Sequence, residues 1–255
     1  MTKAPTAKPL TTKPIIEVAD DAQALAELAA DWLLAQAQAK SGTFSVALSG
    51  GSTPRRLYQL LASAPRRDLF PWNRTSWFWG DERFVPYDDE ASNYRMVREA
   101  MLARAPVPPG NIHPMPTEGL APDAAASVYE RTLKQFYGAD DLAANKPLFD
   151  VVLLGLGTNG HTASLFPGYP TLDEVRRWVV GVPKANVEPF VPRVTLTLPT
   201  LVSCREMLFE VAGAEKRAIL TRVLAGENLP ANRAQSTGET VWLVDQAALP
   251  ENLRE

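Results

Sequence analysis

The sequence predicts an α/β fold, a single domain with a mainly parallel sheet flanked by helices. Two observations carry this reading. Apolar, β-rich runs alternate with helical patterns from Ile15 to the C-terminus, and glycine turns close two of those runs, as strands do where they feed crossover helices. The chain has 255 residues, 45% hydrophobic and 22% charged, which is enough apolar material for one large core.

Residues 1–13, MTKAPTAKPLTTK, carry Lys3, Lys8 and Lys13 without an apolar stretch of signal-peptide length. They are expected to be a flexible tail ahead of a domain over residues 14–255. The first strand is expected at Ile15–Val18. A helix follows, because Leu25, Leu28, Ala29, Trp32 and Leu33 keep the i, i+3, i+4, i+7, i+8 spacing of a core-facing stripe. Phe44–Leu48 reads as a strand, and Pro54–Ala64 as a helix with proline at its first position, where the missing N–H costs nothing.

A strand at Ser76–Trp79 and a helix at Asn93–Ala103 come next. Pro106, Pro108, Pro109, Pro114 and Pro116 make Ala105–Thr117 an irregular connection. A helix is expected at Ala124–Tyr137, then strands at Phe149–Leu154, Trp178–Val182, Val194–Leu198 and Met207–Val211. A helix at Ala214–Ala225 and a strand at Val241–Val244 complete the pattern. No repeat or long linker marks a second domain.

Composition excludes several functions. A net charge of -3 gives no global attraction to nucleic acid or acidic lipid. No run reaches the roughly 18 apolar residues of a membrane span. The one cysteine, Cys204, cannot form an intramolecular disulfide, and with two histidines it leaves few of the ligands zinc prefers. A reduced, cytoplasmic, metal-independent protein is expected.

Three segments carry chemistry. In VALSGGSTPRRLYQLL a strand, a Gly-Ser-Thr loop and a helix follow one another, so the free N–H groups of the first helical turn, with Ser52 and Thr53, offer an anion site. An ordinary capped helix would read the same way. No Lys-Ser/Thr follows the second glycine, so the loop is not of the nucleotide-triphosphate type.

In FDVVLLGLGTNGHTASLFPG, Gly155, Gly157 and Gly160 form a turn beyond a strand and present His161 at its end. The spacing formally matches a dinucleotide fingerprint. However, the acid expected about 20 residues on is missing, and WVVGVPK offers Lys184 instead. A lone histidine is often structural, but this one stands at a strand's C-terminal edge, where open α/β sheets place ligands. His113, in GNIHPMP, has no such setting and reads as structural.

The third segment, WFWGDERFVPYDDEASNYRM, ends a strand on Asp81, Glu82 and Arg83. Successive residues point to opposite sides, so at most two of the three can face one pocket. Arg83 suits a phosphate or carboxylate. Arg193 and Lys216, at later strand ends, either add positive charge to the same place or lie on the surface. No Gly-x-Ser-x-Gly elbow is present, and an imidazole that activates water is the simpler chemistry.

Taken together, SGGSTP, WGDERFVP with SNYRM, LGLGTNGHTASLFPG, RVTLTLP and AGAEK resemble the 6-phosphogluconolactonase family, in that family's order over nearly the whole chain. The resemblance implies hydrolysis of 6-phosphoglucono-δ-lactone to 6-phosphogluconate in the oxidative pentose phosphate pathway. It also implies a fold related to glucosamine-6-phosphate deaminase and ribose-5-phosphate isomerase, with no metal or organic cofactor. The expected partner is a small sugar phosphate, with neither nucleic acid nor membrane, and the protein is expected to be a monomer or small homo-oligomer. The family's phosphate loop falls on Gly50, Gly51, Ser52 and Thr53, its strand-end motif on Asp81, Glu82 and Arg83, its catalytic histidine on His161, and its later basic positions on Arg193 and Lys216. The family usually carries aspartate two residues before this histidine, and Asn159 stands there instead. An amide can orient an imidazole but does not stabilise its charged form by charge.

Two rivals remain at this stage. A deaminase or isomerase of the glucosamine-6-phosphate type shares the glycine-histidine turn but carries GHIAFNEP where this chain has GHTASLFPG. A sugar-phosphate sensor without turnover is the other. For an unperturbed His161 base, the acid limb of the rate is expected within a unit or so of about 6.5.

Overall fold

The computed structural model describes residues 15–254; the expected N-terminal tail lies outside the described residues. In chain order the elements are β1 (Ile15–Ala19), α1 (Ala22–Ala39), β2 (Phe44–Leu48), α2 (Ser52–Leu61), α3 (Arg66–Leu69), β3 (Thr75–Trp79), β4 (Asp81–Arg83), α4 (Asn93–Val97) and α5 (Pro122–Tyr137). They continue with β5 (Phe149–Gly155), β6 (Val179–Val182), β7 (Arg193–Leu196), α6 (Leu198–Val202), β8 (Cys204–Val211), α7 (Arg217–Leu224), α8 (Pro230–Arg233) and β9 (Glu239–Asp245).

Six strands form a parallel sheet in the order β1-β9-β8-β5-β2-β3. Its interior strand β2 is buried throughout, and the neighbouring β5 is buried up to its last residue, Gly155. Helices cover both faces of such strands, so they are largely apolar, and the two polar exceptions, Ser45 and Asp150, bond to each other. Helix α1 starts at Asp21, whose carboxylate accepts from the N–H groups of Gln23 and Ala24, both at 2.8 Å. It buries Leu25, Ala29 and Leu33 as expected, together with Ala26 and Ala30. Leu28 is exposed, because the covered face is rotated toward the alanines.

The sheet order places the site. From β2 the chain leaves through α2 toward β3 at one edge, whereas from β5 it proceeds toward β8 and then β9 on the other side. The loops after β2 and β5 therefore diverge and open a crevice at the C-terminal ends of the two strands. This is the switch point where open α/β sheets bind ligands.

The expected strands over Trp178–Val182 and Val194–Leu198 do form, but they belong to a separate antiparallel sheet, β4-β7-β6. Gly80 joins the two sheets: its N–H donates to Leu48 O, and its carbonyl accepts from Leu196 N, both at 2.9 Å. Leu198 begins α6 rather than ending β7. The helix expected at Asn93–Ala103 is α4 running into a wider turn, with Ala103 N bonded to Arg98 O.

Candidate active site

At the switch point lies a cavity of about 610 Å³, within the usual size range for a small-molecule site. The turns after β2, β5 and β8 and the strands β4 and β7 converge on it. Of the residues that the sequence put forward, all reach its wall except Glu82, which turns away from it, and Asn159 and Gly160, which support the turn behind His161.

The turn after β5 is held by its own backbone: Gly157 N donates to His161 O at 2.9 Å and Gly160 N to Gly157 O at 2.8 Å. Gly160 has φ +85°, a left-handed conformation that suits glycine. The imidazole lies directly over Gly157, where a Cβ would come within 2.0 Å of Nδ1 and Cε1. Position 157 is therefore glycine because the ring occupies its side-chain space. Gly155 is under no such constraint, since a Cβ there would meet only Ser49 Oγ at 3.9 Å.

Asn159 fixes the tautomer of His161. Its Oδ1 accepts from the backbone N–H of His161 at 3.1 Å, which orients the amide oxygen toward the ring, and it lies 2.6 Å from Nδ1. An oxygen acceptor there requires Nδ1 to carry the hydrogen, leaving the lone pair on Nε2. Burial lowers the His161 pKa to about 4; Asp81 opposes the shift, while Lys216, Arg193 and Arg83 add to it. The imidazole is thus neutral at physiological pH, and the limb expected near 6.5 moves down with it.

Strand β4 alternates as its geometry requires. Asp81 and Arg83 face the cavity, and Glu82 turns inward. Glu82 accepts from the backbone N–H groups of Arg83, Asn93 and Tyr94, each at 2.7 Å, and so ties β4 to the start of α4. Burial outweighs these bonds and pushes Glu82 up to about 7. Asp81 accepts from Ser164 Oγ at 2.6 Å. Between Ser164 and the histidine turn, Ala163 sits at φ 47°, a strained position for a non-glycine residue. The bonds from Thr162 Oγ1 to Gly155 O and from Ser164 to Asp81 hold it there.

The candidate anion site is built from several directions. Helix α2 begins at Ser52 after Gly51 at φ 109°, and no side chain caps its first turn. Gly50 allows the loop to approach Asn93, since a Cβ there would fall 1.9 Å from Asn93 Oδ1. Arg193 is buried rather than superficial: it donates to Pro189 O at 2.7 Å and Val191 O at 3.3 Å, fixing the loop before β7. Lys216 stands on the turn after β8, which Asp245 secures by accepting from Gly213 N. Among the described residues none of Arg83, Arg193 and Lys216 has a carboxylate partner within ion-pair distance. With no carboxylate to neutralise them, these cations around an uncapped helix start suit a phosphate.

Sequence reasoning missed Asn93, Ser164 and Glu210. Asn93 and Ser164 carry no local signal, because their partners Asp81 and Gly50 are distant in the chain. Glu210 had one: it is the only acid in the apolar run MLFEVA.

The comparisons with known proteins agree with this architecture. The family described as glucosamine-6-phosphate isomerases/6-phosphogluconolactonase matches residues 19–242. The 6-phosphogluconolactonase of a Synechocystis species is 43% identical over 225 residues, covering 87% of this chain and 89% of that protein. The structure of 6-phosphogluconolactonase from Trypanosoma brucei superposes with a TM-score of 0.83 at 31% identity, covering 95% of this chain and 99% of that one. A monomeric glucosamine-6-phosphate deaminase shares the fold at a TM-score of 0.79 and 19% identity, covering 94% of this chain and 100% of that one. With the glycine-histidine turn, the strand-end Asp-Glu-Arg and the anion loop gathered at one switch point, the chain belongs to the glucosamine-6-phosphate isomerase/6-phosphogluconolactonase family.

Proposed function

We propose that this chain hydrolyses 6-phosphoglucono-1,5-lactone to 6-phosphogluconate, the lactonase step of the oxidative pentose phosphate pathway. The observation that carries the reading is the neutral imidazole of His161, with Nε2 free, in a cavity that also holds Arg83, Arg193 and Lys216 without carboxylate partners among the described residues. The reading treats residues 14–255 as one catalytic domain acting in the cytoplasm as a monomer or small homo-oligomer, without nucleic acid.

In the reaction, Nε2 takes a proton from a water whose oxygen attacks the lactone carbonyl carbon. The carbonyl π bond opens to an oxyanion, which Arg83 or the N–H groups of the glycine turn stabilise. As the carbonyl re-forms, the bond to the ring oxygen breaks and the proton on Nε2 passes to that oxygen. Asp81 favours the transient imidazolium, in line with its upward pull on His161. Gly50, Gly51, Ser52 and Thr53 with Arg193 and Lys216 hold the phosphate, so remote binding energy places the reacting carbon. The segment after the turn, GHTASLFPG, lacks the acid of the deaminase pattern GHIAFNEP, which favours the lactonase over the deaminase.

The reading is tested with freshly made lactone and with glucosamine 6-phosphate. Lactone turnover without deamination supports it. Deamination, or tight 6-phosphogluconate binding with no turnover, overturns it in favour of the deaminase or the sensor. The rate should persist in excess chelator, and a rate lost to chelator and restored by zinc would contradict the metal-free route.

Lys216→Met should weaken 6-phosphogluconate binding by about 1.5–3 kcal/mol, the scale of a hydrogen bond to a charged group. Unphosphorylated gluconolactone should be almost unaffected; equal losses for both would assign Lys216 to the fold. Arg193 is a less clean test because its removal also frees the backbone it holds.

Asn159→Asp keeps the shape and adds charge beside Nδ1, which favours imidazolium. The His161 titration, followed by NMR in a chain with two histidines, should move up from about 4, and kcat should rise. An unchanged midpoint with kcat within about twofold, less than 0.5 kcal/mol of barrier, would leave Asn159 an orienting group only.

A further inference from the structure

Glu210 is a carboxyl group that the mechanism leaves unused. It stands near the C-terminal end of β8, in register with Gly155 of β5 and Leu243 of β9. Its side chain is buried at 3% exposure at the wall of the active-site cavity. Neither carboxyl oxygen has a hydrogen-bond partner among the described residues. A buried polar group without a partner is uncommon, and at a ligand site the missing partner is readily a ligand atom.

The surroundings define what that atom must be. Tyr58 of α2, whose acidity senses Glu210, is already committed: its hydroxyl donates to Ser49 O at 2.8 Å and accepts from Ser49 N at 3.1 Å. On the elements beside β8, the other titratable groups that line the cavity are Arg56 on α2, His161 beyond β5, Glu215 and Lys216 on the turn after β8, and Asp245 at the end of β9. Asp245 is taken up by Gly213 N and Ala248 N. Burial alone pushes the Glu210 carboxyl up to about 8, so it holds its proton at neutral pH. A protonated carboxyl is a hydrogen-bond donor, and it needs an acceptor.

The two segments that flank Glu210 are those of the anion site. Helix α2 brings Tyr58 to it and opens with Ser52 and Thr53, and β8 runs on through Gly213 to Lys216. We propose that Glu210 is a substrate-binding residue, whose carboxyl O–H donates a hydrogen bond to an oxygen of the substrate's phosphate. The choice of substrate rests on the lactonase reading; the choice of a phosphate rests on the cavity. Loss of the proton would set a carboxylate against the phosphate, so binding should weaken as pH rises through the titration of Glu210.

Binding of 6-phosphogluconate and of inorganic phosphate is measured by calorimetry from pH 6 to 9.5 for the wild type, Glu210→Gln and Glu210→Leu. Glutamine keeps a neutral donor of nearly the same shape, and leucine fills the space without one. In the wild type the dissociation constant should rise toward tenfold per pH unit above about 8, beyond the slope set by Lys216. Glu210→Gln should bind as the wild type does at pH 7 and lose that extra rise, and Glu210→Leu should bind roughly tenfold more weakly at pH 7 with no loss for unphosphorylated gluconate. A Glu210→Gln profile as steep as that of the wild type overturns the proposal, as does full affinity in Glu210→Leu. If the leucine variant does not fold, the glutamine profile alone decides. Inorganic phosphate following this pattern without 6-phosphogluconate binding would keep the role of Glu210 and reject the lactonase reading; strong 6-phosphogluconate binding indifferent to Glu210 would do the reverse.

Discussion

His161→Ala is expected to lower kcat for the lactone by roughly 100-fold or more, the usual scale for loss of a general base, while binding of 6-phosphogluconate stays within a few-fold. The split follows from the geometry. The imidazole is held by Asn159 and its own turn, whereas the proposed phosphate ligands Ser52, Thr53, Arg193 and Lys216 come from other segments. The acid limb of kcat/KM adds a second signature. In the free protein burial and the neighbouring cations hold His161 near 4, so between about pH 5 and 8 the base is already deprotonated, and its protonation lowers the rate only below that window. A limb near 6 that tracks the second ionisation of the phosphate ester belongs to the substrate; NMR of the unliganded protein separates the two. A His161 midpoint near 6.5 would mean that the ring is solvated and the buried geometry wrong. Near-normal turnover by His161→Ala, corrected for spontaneous hydrolysis, would remove the residue from the mechanism.

Gly157→Ala should cost nearly as much, through position alone. The added methyl would lie 2.0 Å from Nδ1 and Cε1 of the imidazole, well inside van der Waals contact, so the ring must leave its place or the turn must open. Displacing a catalytic group by about 1 Å is enough for losses on the order of 100-fold. Because the sheet ends before residue 157, the melting temperature should change far less than kcat. Gly155→Ala is the control, as its methyl meets only Ser49 Oγ at ordinary contact distance. If Gly157→Ala kept full activity, the placement of His161 over that glycine would be wrong.

The parts of the fold that were legible in the sequence are those governed by local physics. Strands β2 and β5 are apolar beyond their second residues, Ser45 and Asp150, because both faces are covered; α1 shows its stripe, and the glycines at 157 and 160 mark a turn with special needs. Strand β4 was legible only as a strand end, since three residues carry too little periodicity, although alternation alone gave the split between Asp81 and Arg83 on one side and Glu82 on the other. The separation of β6 and β7 into their own sheet was not legible, because it depends on which strand each pairs with rather than on its own pattern. His113 is structural as expected, its ring stacked 4.5 Å from that of Phe78. The low His161 pKa was hidden for the same reason as the sheet pairing. It comes from burial and from cations at positions 83, 193 and 216, which only the tertiary structure brings together.

The most direct test of the account is the initial rate of 6-phosphogluconate formation from freshly prepared lactone at neutral pH, with purified protein and its His161→Ala variant run against spontaneous hydrolysis. The account predicts a large acceleration by the wild type, saturable in lactone and competitively inhibited by inorganic phosphate, that falls to near the spontaneous rate in the variant. A wild-type rate indistinguishable from spontaneous hydrolysis, in protein that still binds 6-phosphogluconate, would contradict it.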